Sequence, residues 1–164
     1  MSFGTSPIEL LAADAMLRGA IFCNSFVYSA RFTTSTVQLT SNSTQDQIIQ
    51  ITSEADFVVQ ELNVIAWSAA ATLVADPNIE INITISSGRP WFNQAQNVRN
   101  VCGVYAGGDY PNKMVMPRLI PAQSSVDVNL QDLQAQTWNR VEVALIGFNV
   151  YYQGETREQV FHVI

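Results

Sequence analysis

The chain has 164 residues, of which 48% are hydrophobic, 10% aromatic and 13% charged, and its net charge is -6. This composition excludes an intrinsically disordered chain and suffices for one domain with a hydrophobic core. The positive charges are seven arginines and the single Lys113, scattered without a basic run, which argues against direct contact with nucleic acid.

The N-terminal segment predicts a short helix. Ser6-Pro7-Ile8-Glu9 has the form of a capping box with proline at the first helical position, and helix formers follow as far as Arg18. Gly19 is a suitable stop, so the helix is expected from about residue 7 to residue 18. The segment lacks the basic start and uninterrupted apolar stretch of a secretory signal, which favours synthesis in a reducing cytosol. We therefore divide the chain into an N-terminal arm, residues 1–25, and a β domain, residues 26–164.

After Gly19 the hydrophobic pattern changes to a period of two, which is typical of half-buried strands. The clearest stretch is Ile79 to Ile85, with four isoleucines alternating with three polar residues. The predicted strands are Phe26–Thr33, Thr36–Thr40, Gln47–Thr52, Asp56–Trp67, Ile79–Ile85, Val126–Leu130, Val141–Tyr152 with a possible bulge at Gly147, and Val160–Val163. Turn-forming residues separate them and no helix connects them, so the expected fold is all-β: an antiparallel β-sandwich, specifically a jelly roll, preceded by the short helix.

One long segment, Gly88 to Pro121, is predicted to be irregular because prolines and glycines recur along it. Long loops of this kind often carry function. Bulky side chains in it are interpreted as surface residues, namely Trp91, Phe92, Tyr105, Tyr110, Met114 and Met116. The aromatic cluster around Trp91 fits three roles equally: stacking on a sugar, filling a partner's pocket, or plugging one end of the sandwich.

Residues that could support catalysis are few. His162 is the only histidine, which argues against a metal site of several histidines or a Ser-His-Asp triad. The carboxylate pairs Glu54 with Asp56 and Glu61 with Glu80 have no spacing that marks a glycosidase. Cys23 and Cys102 lack metal-ligand spacing and are expected to be reduced. We therefore predict a protein that is not an enzyme and has no catalytic residue, metal or cofactor.

Several short motifs resemble those of the jelly-roll cement (decoration) proteins on the capsids of tailed bacteriophages. They are Phe26-Val27-Tyr28, Ile48 to Thr52 followed by Glu54 to Phe57, Gly88-Arg89-Pro90-Trp91-Phe92, Met116 to Ser125, and Val141 to Tyr151 with Gly147. The resemblance covers most of the chain after residue 25. It implies a two-sheet jelly roll on the outer capsid surface of the virion, with the major capsid protein and further copies of itself, as a dimer or trimer, as partners. It implies no catalytic residue.

The residues predicted to make these contacts come from the N-terminal arm and the long segment. They are Phe3, Ile8, Leu11, Arg18, Trp91, Phe92, Tyr105, Tyr110, Met114 and Met116. Neither a nucleic acid nor a membrane is an expected partner. Two other functions stay open: another structural part of the virion, such as a tail adaptor or the base of a head fibre, and a carbohydrate-binding jelly-roll module that uses Trp91.

Overall fold

A computed structural model describes residues 20–86, 88, 90–104 and 111–152. The predicted helix at residues 7–18 and the predicted strand Val160–Val163 lie outside these ranges. The strands, in chain order, are β1 (Ala20–Thr33), β2 (Thr44–Gln50), β3 (Asp56–Ser68), β4 (Ile79–Ile85), β5 (Gln96–Asn97), β6 (Gly103–Val104), β7 (Asn112–Ile120), β8 (Ser125–Asp132) and β9 (Trp138–Tyr152). A single helical turn, α1 (Val98–Val101), lies between β5 and β6. None of the helical structure in the described ranges is long and apolar enough to cross a membrane.

The strands form two sheets. The larger sheet has the order β1-β9-β3, and β3 then pairs along one half with β7 and along the other with β6. The smaller sheet has the order β2-β8-β4-β5. All pairings are antiparallel except that of β6 with β3. The predicted all-β sandwich of antiparallel sheets is therefore confirmed.

The core lies between the two sheets because one face of each strand is apolar. In β4, Ile79, Ile81 and Ile83 are fully buried, while the polar residues between them are only half-buried. In β8, Val126, Val128 and Leu130 repeat this alternation. The long strands of the larger sheet supply the facing side chains, and burial of these apolar surfaces is the main term that stabilises the sandwich.

The predicted strand at Thr36–Thr40 is wrong. These residues form no strand, although Leu39 is fully buried and its carbonyl accepts a hydrogen bond from the Trp138 N–H at 3.1 Å. The alternating pattern at residues 36–40 therefore belongs to the connection between β1 and β2, in which Leu39 is buried, and not to a strand. The start of β1 also differs from the prediction. The strand begins at Ala20 rather than at Phe26, because its pairing with β9 extends back to Ala20, with one register shift between Ala20 and Phe22.

The long segment is more ordered than predicted, since it contains β5, α1, β6 and β7. Strand β7 escaped prediction because Pro117 interrupts it, and proline is normally excluded from the interior of a strand. The register explains how it is accommodated: Arg118 pairs with Val59 and Lys113 with Glu61, so the chain between them bulges out of the ladder.

Candidate interaction surface

A groove of about 610 Å³ lies between α1 and β7. We call it the β7 groove. It is lined by Leu62, Phe92, Asn100, Val101, Asn112, Lys113, Met114, Pro117 and Arg118. Most of these residues come from the long segment whose function was predicted from its length and composition.

The base of the β7 groove is apolar. Leu62 of β3 is fully buried beneath it, while Phe92, Val101 and Met114 are partly buried and pack against the core. Such half-exposed apolar side chains are held in place by the core and still present a surface to a partner. The groove can therefore accept an apolar side chain without rebuilding its own base.

The helical turn beside the groove is fixed by polar contacts at its start. The side-chain oxygen of Asn97 accepts a hydrogen bond from the Arg99 N–H at 3.0 Å, and its amide group donates to Asn78 at 3.1 Å. The Val98 side chain is fully buried and anchors the turn to the core. This N-cap explains how so short a helical segment is held at a defined position, with Asn100 and Val101 facing the groove.

Two cations lie at the rim. Lys113 is exposed, with 79% of its side chain accessible, and its ammonium lies 3.9 Å from the Glu61 carboxylate. The guanidinium of Arg118 lies over the ring of Trp91, 5.6 Å from its centre, and donates to the Trp91 carbonyl at 3.2 Å. An ion pair as exposed as that of Lys113 is weak, so this cation is available to a carboxylate of a partner.

Trp91 itself is a core residue, and the prediction that it lies on the surface is wrong. Only 5% of it is exposed, and its backbone N–H donates to the Ile83 carbonyl at 2.8 Å. The segment looked exposed because it is rich in proline and glycine, but β4 fixes its backbone and Arg118 covers its ring. Trp91 therefore holds the wall of the groove and does not contribute a ring to its surface.

The other predicted contact residues divide into two groups. Phe92 and Met114 both line the β7 groove. The side chain of Met116 and the residues Phe3, Ile8, Leu11, Arg18, Tyr105 and Tyr110 lie outside what the structure describes. The groove also contains five residues that were not predicted as contacts: Leu62, Asn100, Asn112, Lys113 and Arg118. The pairing of β3 with β7 brings Leu62 together with Asn112, Lys113 and Arg118.

A second, smaller cleft of about 350 Å³ is lined by Thr33, Thr34, Trp67, Ala71, Asn139 and Arg140. The Arg140 guanidinium stacks on Trp67, 4.9 Å from the ring centre, and also donates to Glu142. Burial would raise the pKa of Glu142, but the hydrogen bonds and charges of Arg140 and Arg31 outweigh it and lower that pKa. The charge of Arg140 is thus already compensated within the chain.

The candidate catalytic pairs do not form sites in the described residues. Asp56 is buried and accepts a hydrogen bond from the Ala122 N–H at 2.7 Å, whereas Glu54 is exposed. Glu61 and Glu80 lie in different sheets, each at a position that alternates with core residues, so they project from opposite sides of the sandwich. No group of three or more histidine, cysteine, aspartate or glutamate residues suited to a metal occurs within the ranges that the structure covers.

Both cysteines are free thiols. Burial raises the pKa of Cys102 to about 12 and also raises that of Cys23. A thiol with a raised pKa is a poor nucleophile at neutral pH, since the thiolate is the reactive form. Neither cysteine therefore has the environment of a catalytic nucleophile.

No protein-family model matches the chain, and no curated protein matches it.

Proposed function

We propose that this chain is a structural protein of a phage virion, a decoration or cement protein that binds the outer surface of the head and clamps neighbouring subunits of the major capsid protein. The observation that carries the proposal is the β7 groove, which joins two of the motifs that resemble cement proteins. Phe92 comes from the first of these motifs, and Pro117 and Arg118 come from the second. The proposal assigns no catalysis to the chain.

The same proposal includes a jelly-roll topology, and the order of the strands supports it. Among the described strands, with the two-residue β6 set aside, the first pairs with the last, β1 with β9, and the second with the second-last, β2 with β8. The nesting continues inward with β3 against β7 and β4 against β5. Nested pairing of eight strands in two sheets is the pattern expected when one long antiparallel ribbon is wound into a jelly roll.

The chemistry of the β7 groove indicates what kind of partner segment would fit. An apolar base requires an apolar side chain, and the Lys113 and Arg118 cations favour a neighbouring carboxylate or backbone carbonyl. We therefore expect the capsid protein to contribute an exposed segment in which an apolar residue lies beside an acidic one. Such a contact needs neither nucleic acid nor membrane, and a net acidic protein is repelled by packaged DNA, which favours the outer surface of the head.

The carbohydrate-binding alternative depended on Trp91. Its ring is buried and lies under Arg118, so it is not available to stack on a sugar. The other alternative, a tail adaptor or head-fibre base, uses the same kind of protein contact and differs in copy number. A cement protein is expected in many copies over the whole head, whereas a tail ring or fibre base occurs at few positions.

The test uses purified heads of the virus that encodes the chain, stripped of it and then mixed with purified variants. Lys113→Gln should lower the occupancy of the heads, because it removes an exposed cation from the groove rim. Arg99→Gln is the matched control, since Arg99 also forms an exposed ion pair, 2.8 Å from Asp76, but does not line the groove. Equal occupancy for both variants would contradict the role of the groove, and copies confined to one vertex or to the tail would contradict the cement function.

A further inference from the structure

Strand β1 is the edge strand of the larger sheet. It pairs with β9 along its length, and no strand of the described ranges pairs with its other edge. One end of that other edge is closed by Thr36, whose hydroxyl donates to the Arg31 carbonyl and accepts from the Thr33 N–H, both at 3.2 Å. The contacts of Thr36 therefore identify which residues of β1 direct their backbone groups away from β9.

The direction of backbone groups alternates along an antiparallel strand, so the residues two, four, six and eight positions before Arg31 also point outward. These residues are Ser29, Val27, Ser25 and Cys23. No hydrogen bond within the described part of the chain reaches their backbone N–H or carbonyl groups. Within the described residues, the edge is thus closed at Arg31 and open from Ser29 back to Cys23.

The open stretch is uncharged and exposes two large apolar side chains. Phe26 is 41% exposed and Val27 is 55% exposed, and as neighbours in a strand they lie on opposite faces of the sheet. Residues 20–30 carry no charge, and neither proline nor glycine interrupts them. The opposite edge of the sheet differs: β7 has Lys113, Pro117 and a break in register, which are the features that protect an edge from pairing.

We propose that this open edge pairs with the same edge of a second copy of the chain, antiparallel and about a two-fold axis at Phe26. In that register Ser25 faces Val27 of the second copy and Cys23 faces its Ser29, so all four outward residues of each strand are hydrogen-bonded. A shift of the axis by one residue in either direction would leave an outward residue of each copy unmatched. The larger sheets of the two copies would then form one continuous sheet.

A second copy suits this edge better than a different partner because the edge is complementary to itself. In an antiparallel two-fold arrangement every residue of the patch meets the patch again, and Phe26 meets Phe26 as a cross-strand aromatic pair. The uncharged stretch brings no like charges together, although each chain has a net charge of -6. Arg31, just beyond the uncharged stretch, would face residue 21 of the second copy. Its guanidinium Nε already lies 3.2 Å from the Glu142 carboxylate of its own chain. The inference does not depend on the proposed function.

Cross-linking tests the register. At a non-hydrogen-bonded antiparallel pair the two Cα atoms lie about 4.5 Å apart, within the range of a disulfide. In a Cys23→Ser background, Phe26→Cys should therefore form a disulfide-linked dimer under mild oxidation. Ser29→Cys in the same background is the matched control and should not link to its own copy, because the two positions lie at opposite ends of the ladder.

A second variant tests the edge without cysteine chemistry. Val27→Pro removes an outward N–H that β9 does not use, and proline is tolerated at such positions of an edge strand. We expect wild type to sediment as a dimer and Val27→Pro as a folded monomer with the circular dichroism spectrum of wild type. A monomeric wild type, a dimer that persists in folded Val27→Pro, or linkage of Ser29→Cys as efficient as that of Phe26→Cys would each overturn the proposal.

Discussion

Gly147 of β9 and Val58 of β3 meet backbone to backbone. A Cβ atom placed on Gly147 would lie 1.9 Å from the Val58 carbonyl oxygen and 3.1 Å from the Val59 Cα. The close approach lies beside a register shift in β3, where Val59 pairs with Gly147 and Glu61 with Ile146, so Gln60 is the additional residue. The bulge expected at Gly147 is thus in the neighbouring strand, and glycine is the residue that lets the two strands pass at this distance.

The first prediction follows from that contact. Gly147→Ala should lower the free energy of unfolding by about 3 kcal/mol, at the upper end of overpacking costs, because rigid backbone must move. Denaturant unfolding monitored by tryptophan fluorescence measures it.

Gly88 provides the comparison, since its φ of 78° is left-handed but a Cβ there would meet nothing within 4 Å. Gly88→Asn should cost less than Gly88→Ala, because asparagine tolerates that backbone conformation. Gly147→Asn should be at least as damaging as Gly147→Ala. A Gly147→Ala variant as stable as wild type would contradict the close contact.

The second prediction concerns Asp132, which is buried in the smaller sheet. Its carboxylate accepts hydrogen bonds from the Trp138 indole N–H at 3.0 Å and from the Asn42 backbone N–H at 3.1 Å. Asp132→Ala should cost about 3 kcal/mol, because hydrogen bonds to a charged acceptor are lost and the buried indole donor is left unsatisfied.

Asp132→Asn should cost less, since its amide oxygen can still accept one of these bonds. Asp76→Ala removes a carboxylate that is 70% exposed and should change the free energy of unfolding little. The same unfolding measurement ranks the three variants. Equal losses for Asp132→Ala and Asp76→Ala would show that the buried hydrogen bonds do not matter.

The third prediction is a pH dependence on the outer face of the smaller sheet. Burial, and then the charge of Asp46, raise the pKa of Asp127 above its ordinary value of 3.8. A raised pKa means that ionisation of this carboxyl opposes folding: the penalty is complete above the folded-state pKa and disappears as pH falls below 3.8.

Asp127→Asn should therefore stabilise the protein near neutral pH by roughly 0.5 kcal/mol, the size of a cross-strand charge effect. The gain should vanish by about pH 3, where the wild-type carboxyl is protonated. Thermal unfolding at both pH values separates this cause from a general packing effect. A gain that is the same at both would rule out the electrostatic explanation.

The fourth prediction concerns the N-terminal arm. If the chain binds a virion head as proposed, deletion of residues 1–18 should weaken that attachment while the β domain still folds, because β1 begins only at Ala20. Occupancy on purified heads measures attachment, and circular dichroism checks the fold. Unchanged occupancy would remove Phe3, Ile8, Leu11 and Arg18 from the contact residues.

The sequence predicts a strand well where one face is buried and the other is not. Strict alternation placed β4 at Ile79–Ile85, and the structure has the same bounds. Strand β7 lacks that signal because Pro117 and the bulge around it break the period. The stretch around Leu39 shows the opposite case, since its residues alternate although they form no strand.

The candidate site was predictable only in part for a related reason. Phe92 and Met114 were recognised as bulky residues in a segment rich in turn formers, which is a local property. Leu62 and Arg118 join them only because β3 and β7 pair, a contact between residues far apart in the chain. Trp91 shows the same limit, since its burial depends on Ile83 and Arg118 rather than on its immediate neighbours.

The pairing of β1 with β9 has a practical consequence for engineering. Ala20 and Tyr152 are partners in the ladder, so the first and last strands of the sandwich meet at one end. A short linker between them, together with a cut in the turn at residues 34–36 at the other end, would give a circular permutant with all strand pairings retained. The new ends would then carry fused cargo at the end of the β1-β9 ladder opposite Ala20 and Tyr152.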